Sequence, residues 1–374
     1  VVYSQDEDGN YVELEKFQVS RKNKIDGFGK DLYLENRING ISRYIVVKDN
    51  TAIADTALPL EQATRLDLAG GSDGSDPSAG DFVNAWDEFS NPDDIDVRIL
   101  INGGETSVTV QTKIKAVAEA RADCFAVLDI PWASVASVTD MVTFRTTTQN
   151  FNTSYAALYT PWVQIYDSYN DRLVYVPPSG HVAAQMAYND YVANPWSAAA
   201  GLNRGQLDVI APSYIFTQGE RDTLYQEEIN VIQMFRGEGT VIWGNRTLQS
   251  KRSALSSVNV RRMLIIIEKA MAISLRPFVY ENNEENTRFR VVALLNTYLE
   301  RLSAQGAFQT ETGDLGFHVL CDDNNNTPAT IDQLQLNVDV FIKPKRSIEF
   351  IRLQTIVTET GATFNELIAR GVQF

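Results

Sequence analysis

Apolar and polar residues alternate along the first sixty positions, and near residue 80 the pattern changes. YVELEKFQVS (11–20) and DLYLENRINGISRYIVV (31–47) carry the period of two that half-buried strands require, with Gly27-Phe28-Gly29 and Asn39-Gly40 as turn signals. Residues 1–60 are therefore predicted to be β-rich. Within 50–80, LAGGSDGSDPSAG has the backbone-permissive composition of a connection between domains.

Helical and strand patterns then alternate. Pro77 to Phe89 predicts a helix with Phe82, Trp86 and Phe89 on one face, and IDVRILI (95–101) a buried strand ending at Asn102-Gly103-Gly104. KIKAVAEARAD reads as a helix and CFAVLDI (124–130) as the next buried strand. Strand, helix and strand joined by short loops make a βαβ unit, hence a parallel sheet covered on both faces. Residues 155–167, 173–176 and GTVIW (239–243) add strands, with a Pro-Pro corner and a small-residue segment between them. Three helices are expected next. One covers 220–235 through Tyr225, Ile229, Ile232 and Phe235, and one covers 259–275 through Val260, Leu264, Ile267 and Met271. The third covers 287–304 through Phe289, Val292, Leu295, Leu299 and Leu302, and stops at Gly306. LQLNVDVFIKP and IEFIRLQTIVTET read as closing strands, and Thr363-Phe364-Asn365-Glu366 as a capping box opening a last helix. The fold class is α/β, α+β overall: a mixed, largely parallel sheet core flanked by helices, a peripheral β-rich domain (1–70), an α/β core (71–260) and a C-terminal α+β region (261–374).

Composition narrows this picture. The 374 residues exceed one ordinary core, and the apolar and charged fractions of 44% and 22% are those of a globular protein. No apolar run is long enough to span a membrane, and VVYSQDEDGN lacks the basic start and apolar centre of a signal peptide. The formal net charge of −15 sets a field that repels nucleic acid and anionic membranes. Cys124 and Cys321 cannot make a disulfide framework, and Cys124 lies in an apolar strand, so a reduced cytoplasmic fold is expected.

The chain offers little catalytic chemistry. Its two histidines are His181 and His318. Ser179 and His181, with Asp129 or Asp190, evoke a triad, but they are two residues apart on what reads as a Pro-Gly loop and no G-x-S-x-G elbow is present. Asp129 ends a buried strand where open α/β sheets hold ligands; its other reading is a cap on the turn before Pro131. GGSDGSD lacks both the P-loop ending and the EF-hand spacing, so neither a metal nor a cofactor is expected. Glu281, Glu284 and Glu285 suit a helix start. Charge segregation is the stronger signal. Acids gather at Asp6-Glu7-Asp8, at Asp93-Asp94-Asp96 and around Glu281; bases gather at Arg246, Lys251, Arg252, Arg261 and Arg262, and at Lys343, Lys345, Arg346 and Arg352. Such stripes suit contacts between copies of one chain, with ordinary solvated faces as the plain alternative.

Residues 155–205, from YAALYTPWVQIYDSYNDRLVYVPP to PWSAAAGLNRG, resemble the core of contractile tail sheath proteins, which wrap a phage tail tube and shorten to drive it through a cell envelope. Gly70-Gly71-Ser72-Asp73-Gly74, ARADCFAVLDIP (120–131), WGNRTL (243–248), NVRRMLIIIEKAM (259–271) and the stretch Asp339 to Glu366 follow in the family's order. The resemblance implies a structural subunit without enzymatic activity, located in the virion tail and assembled in the host cytoplasm. Its implied partners are other copies of itself, the tail tube, and baseplate and tail terminator proteins, with no nucleic acid and no membrane insertion. The basic stripes become candidate contacts with a neighbour or the tube. IEFIRLQTIVTET would join an inter-subunit sheet, and the family's N-terminal arm is expected to be missing here, leaving a soluble monomer. A bacteriocin or secretion-system sheath, another virion protein such as a tube or baseplate subunit, and an α/β enzyme with a site near Asp129 are the alternatives.

Overall fold

The computed structural model describes residues 1–6, 9–22, 24–49, 74–347 and 349. Arg352, the capping box at Thr363–Glu366 and all of IEFIRLQTIVTET except Glu349 lie outside the described residues. The chain divides into two compact units, Val1–Ser75 and Asp76–Phe374.

In the first unit β1 (Val2–Gln5) pairs antiparallel with β2 (Tyr11–Glu15). The second alternating run does not form a long strand. It makes single bridges from Ser20 to Tyr33 and from Ile25 to Asp31, then a short helix α1 (Leu34–Ile38). Side-chain oxygens replace ladder bonds here: Asp26 accepts from the Phe28 and Lys30 backbone, and Glu15 from Ser42 and Arg43. Asx-type turns of this kind compete with extended pairing.

The second unit opens with α2 (Ala79–Asp87), started by a capping box between Ser78 and Asp81. Then come β3 (Ile99–Ile101), α3 (Val108–Arg121), β4 (Phe125–Asp129), α4 (Val138–Thr143) and β5 (Ala156–Thr160). A hairpin of β6 (Val163–Asp167) and β7 (Arg172–Val176) leads to α5 (Ser179–Val192), β8 (Ala211–Pro212) and α6 (Gln218–Gln226). β9 (Ile229–Phe235), β10 (Gly239–Trp243), α7 (Val258–Leu275), α8 (Glu285–Ala304), β11 (Phe317–Leu320), α9 (Pro328–Asp332) and β12 (Asp339–Ile342) complete the described α-helices and strands.

Five strands form the central sheet in the order β10-β9-β5-β4-β3. β3, β4, β5 and β9 are parallel, and β10 is antiparallel to β9. β4 shows why its sequence is unbroken apolar. Ala126 and Leu128 pack with Val110, Ile114 and Met141 on one face; Phe125 and Val127 pack with Val182, Met186 and Ile265 on the other. A strand buried on both faces has no polar alternation. Beyond the sheet, α7 and α8 pack with β11 and β12 around Met263, Ile267, Leu295, Leu299 and Phe308.

The structure revises three expectations. The run 220–235 is a helix only to Gln226, because Glu228 takes a left-handed turn (φ 57°) and INVIQMF enters the sheet as β9. Its β-branched residues suit a strand, and short apolar runs fit either period. The segment after the Pro-Pro corner is the helix α5, burying Ser179, Val182, Met186 and Asn189. On α8 the buried stripe is Val291, Leu295, Leu299 and Leu302, whereas Phe289 is 71% exposed. Phe289 lies about 200° around the helix from Val291.

WGNRTL is the connection from sheet to α7, and each residue has a job there. Asn230 on β9 donates through Nδ2 to Arg246 O (2.7 Å) and Leu158 O (3.2 Å), and its Oδ1 accepts from Arg246 N (2.7 Å). Asn245 Nδ2 donates to Asn259 Oδ1 (2.7 Å) and Thr247 Oγ1 to Leu255 O (2.9 Å); Leu248 is fully buried. Gly244 lies so close that a Cβ would meet Asn230 Oδ1 at 2.7 Å and Cα at 2.8 Å. At Gly205 a Cβ would likewise meet Ala200 Cα at 2.8 Å, where residues 201–207 cover the outer edge of β10. Gly244→Ala is expected to destabilise the fold by about 1–3 kcal/mol through overpacking. Gly219→Ala in α6, which meets nothing within 4 Å, is expected to be neutral or stabilising by up to about 1 kcal/mol. Urea unfolding of the two variants checks the contrast.

Candidate functional site

The basic residues singled out by sequence divide into two sets. Arg261 and Arg262 face inward. Arg261 donates through Nε and Nη2 to Ser154 Oγ (2.9 and 2.6 Å), with its guanidinium 4.2 Å from the Tyr155 ring centroid. Arg262 donates to Asp190 Oδ2 on α5 at 2.5 Å. Both are buried, which corrects their placement on an exposed stripe: their donors are engaged within the chain. Arg246 is half-buried, 2.7 Å from Glu349 and stacked over Tyr225 at 4.9 Å. A cue was present in NVRRMLIIIEKAM. A helix apolar on nearly every side is a buried helix, so arginines inside it need internal partners.

Lys251, Arg252, Lys343, Lys345 and Arg346 are exposed. Lys343 pairs with Asp314 across the start of the β11–β12 region. Among the described residues, Lys251, Arg252, Lys345 and Arg346 make no ion pair. These four cations, with Lys343, are what remains, among the described residues, of the basic stripes as an exposed surface.

In the acidic run, Asp93 and Asp96 are paired within the chain. Arg276 lies 3.1 Å from Asp93, and Lys269 bridges Asp96 (2.7 Å) and Asp123 (2.8 Å). The Lys269 bond holds the Asp96 carboxyl below its ordinary range. For Asp123, burial pushes the other way, but the bonds from Arg121 and Lys269 prevail and lower it. Arg121, which lies in ARADCFAVLDIP but was not singled out there, is the organiser. It donates to Asp123 (2.8 Å), Phe89 O (2.6 Å) and Ile95 O (2.8 Å), fixing the loop that carries the acids.

Asp129 does not cap the turn before Pro131. Its Oδ1 accepts from Ser179 N at 2.7 Å, joining the end of β4 to the first turn of α5. Ser179 is buried there and His181 lies two residues on in the same helix, so the supposed Pro-Gly loop is a helix start. Asp129 bonds Ser179 rather than His181, which is not the relay of a triad. Burial pushes the Cys124 thiol up to about 12, leaving it an inert core group. Among the described residues no three His, Cys, Asp or Glu side chains gather as a metal site, and no helix is long and apolar enough to cross a membrane.

The second unit is thus an α/β sheet covered on both faces, whose marked residues mostly build structure and leave the remaining charge on the surface. The chain belongs to the phage tail sheath family. It matches the phage tail sheath protein central domain over residues 76–248 and the phage tail sheath C-terminal domain over 250–358. It is 35% identical over 323 residues to the tail sheath protein of Enterobacteria phage T4, covering 81% of this chain and 48% of the relative. With the tail sheath protein of Vibrio phage KVP40 it shares 32% over 322 residues, covering 79% and 47%. The chain thus spans about half the length of the curated relatives it matches. Among solved structures it is similar to the PVC sheath complex of an extracellular contractile injection system in its contracted state: 26% identity, TM-score 0.63, 71% of this chain and 72% of that one.

Arg262→Met is expected to cost about 2–3 kcal/mol, below the ~3–5 kcal/mol of a fully buried pair because the Asp190 side chain keeps 23% of its exposure. Lys251→Glu with Arg252→Glu is expected to stay within about 0.5 kcal/mol of the parent. Thermal unfolding of both variants measures the difference between the two sets.

Proposed function

We propose that this protein is a subunit of a contractile tail sheath, which polymerises around a tail tube and drives it through the host envelope by changing how subunits pack. The observation that carries this reading is the pair of sheath-domain matches, which together run from residue 76 to 358 with one position between them. The subunit acts without catalysis. The enzyme reading near Asp129 finds no support, since the relatives are tail sheath proteins and Asp129 is engaged at a helix start.

Partners and place follow from the same reading. Copies of the chain contact one another, the inner surface meets the tail tube, and the ends of the array meet baseplate and tail terminator proteins in the virion tail after assembly in the host cytoplasm. A peripheral part (1–70), a core (71–260) and a C-terminal region (261–374) divide the work. Contraction exchanges one packing of rigid bodies for another. A difference of about 5.5 kcal/mol moves a two-state balance from 1:99 to 99:1, so an array that switches together needs only a few kcal/mol per subunit. Lys251, Arg252, Lys343, Lys345 and Arg346 dock on acidic faces of a neighbour or the tube, supplying register more than tightness.

Negative-stain microscopy of the concentrated full-length protein tests the function, with hollow tubes of stacked rings expected and persistent single folded particles counting against it. Charge reversal of Lys343, Lys345 and Arg346 in that protein is expected to cut the polymerised fraction about tenfold at low salt, since like charges facing across an interface cost several kcal/mol. Unchanged tubes would remove the basic surface from the mechanism and leave the sheath reading standing.

A further inference from the structure

At the end of β4 the hydrogen-bond accounting does not close if Asp129 is a carboxylate. The residue is fully buried. Its Oδ1 has a donor in Ser179 N at 2.7 Å, but its Oδ2 has none. The Asn102 side chain, just past the end of β3, lies beside the same carboxyl. Asn102 is oriented by its Nδ2, which donates to Glu105 O at 3.0 Å, and this leaves the Asn102 Oδ1 buried without a donor. Two buried acceptor oxygens on neighbouring side chains therefore lack a hydrogen.

One proton satisfies both. We propose that Asp129 is a neutral carboxylic acid in the folded subunit, donating from Oδ2 to Asn102 Oδ1 while Oδ1 holds the start of α5, so that the central sheet carries a built-in pH response. The proton comes from solvent when the chain folds and returns to solvent on ionisation, leaving a buried negative charge. Among the described residues, no cation is placed to offset that charge. On the elements that meet it, the titratable groups nearest in sequence are Glu105 after β3, the register partner Tyr159 on β5 and His181 two residues after Ser179 on α5; the Arg262 guanidinium of α7 acts on Tyr159. None of these contributes a charge–charge effect at Asp129. Burial drives its proton affinity up, from an ordinary 3.8 to about 7, against the lowering bonds from Ser179.

The sign follows from linkage. A folded-state value above the unfolded one gives a contribution fully present below the unfolded pKa and lost as pH rises through about 7. The sheet end is thus most secure in mild acid and loosens in alkali.

Asp129→Asn is the neutral isostere: its Nδ2 can donate to Asn102 and its Oδ1 can accept from Ser179. The ratio of unfolding constants, parent over variant, is expected to rise about 100-fold between about pH 5 and pH 8. A flat ratio, or a variant much less stable than the parent at every pH or unable to fold, would overturn the proposal, since the isostere replaces the acid without loss. A second measurement needs no variant stability. Infrared spectra of parent protein labelled with 13C at aspartate are expected to show a carboxylic-acid C=O band at about pH 6, absent when Asp129 is replaced and vanishing in the parent above about pH 8. A parent showing only ionised carboxylates at pH 6, as when a bound water or cation serves Oδ2, would refute it.

Discussion

Covering β3, β4, β5 and β9 with helices on both sides removes water from both faces of the sheet, and most of the polar architecture answers that one constraint. Each polar group placed there must find its partner inside the protein, because an orphaned one costs about 1–3 kcal/mol. Asn230 meets the demand by binding the backbone of Arg246, Arg121 by binding carbonyls of the loop before β3, and Asn259 by donating to Trp196 O at 2.9 Å. The partner in each case is a stretch of connecting chain. Connections that would otherwise be mobile loops are therefore fixed nearly as firmly as the strands they join.

α7 carries the constraint from the sheet into the C-terminal region. Val258 and Ile265 belong to the sheet's second face, while Met263 and Ile267 belong to the cluster around α8. Its cations, with Arg276 just past its end, bind in several directions: Arg261 to Ser154 ahead of β5, Arg262 to α5, Lys269 and Arg276 to the acidic loop ahead of β3. A helix so tied on several sides resists sliding against its neighbours. The described part of the second unit is thereby suited to move as a body, which a mechanism of sliding subunits requires of its parts.

How much of this was legible depended on whether a residue's neighbours were near in sequence. The βαβ pattern, both faces of β4, and α7 and α8 were readable, because apolar period reports burial directly. WGNRTL was recognisable as a signature, yet its logic was hidden: Gly244 is small because of Asn230, which lies fourteen positions away and across a turn. The same distance hid Arg121, whose carbonyl partners lie 26 to 32 positions back. Phe289 misled for another reason. On a helix, two apolar stripes one step apart fit one string almost equally, and only the tertiary partner decides between them. The basic stripes failed at α7 because linear clustering ignores which way a helix faces; the all-round apolar context of Arg261 and Arg262 carried the information that charge alone did not.

That sorting changes how the net charge of −15 bears on assembly. As a whole-molecule field it opposes the approach of two copies, but at physiological salt the field decays over about 8 Å. At contact, local pairing decides. The acids at Asp93 and Asp96 and the buried arginines are already answered inside the chain, so they lend little to a neighbour. The exposed cations around Lys251 and Lys345 are not, and they sit on a surface otherwise biased to negative charge. Each is weak alone, with a surface pair contributing about 0–1 kcal/mol. In the proposed sheath a repeating array would multiply the same weak contact by every subunit, and a contact that weak could be broken and remade in a second register when the packing changes. Strong buried pairs would then hold the body rigid, and weak exposed ones would leave the array free to move.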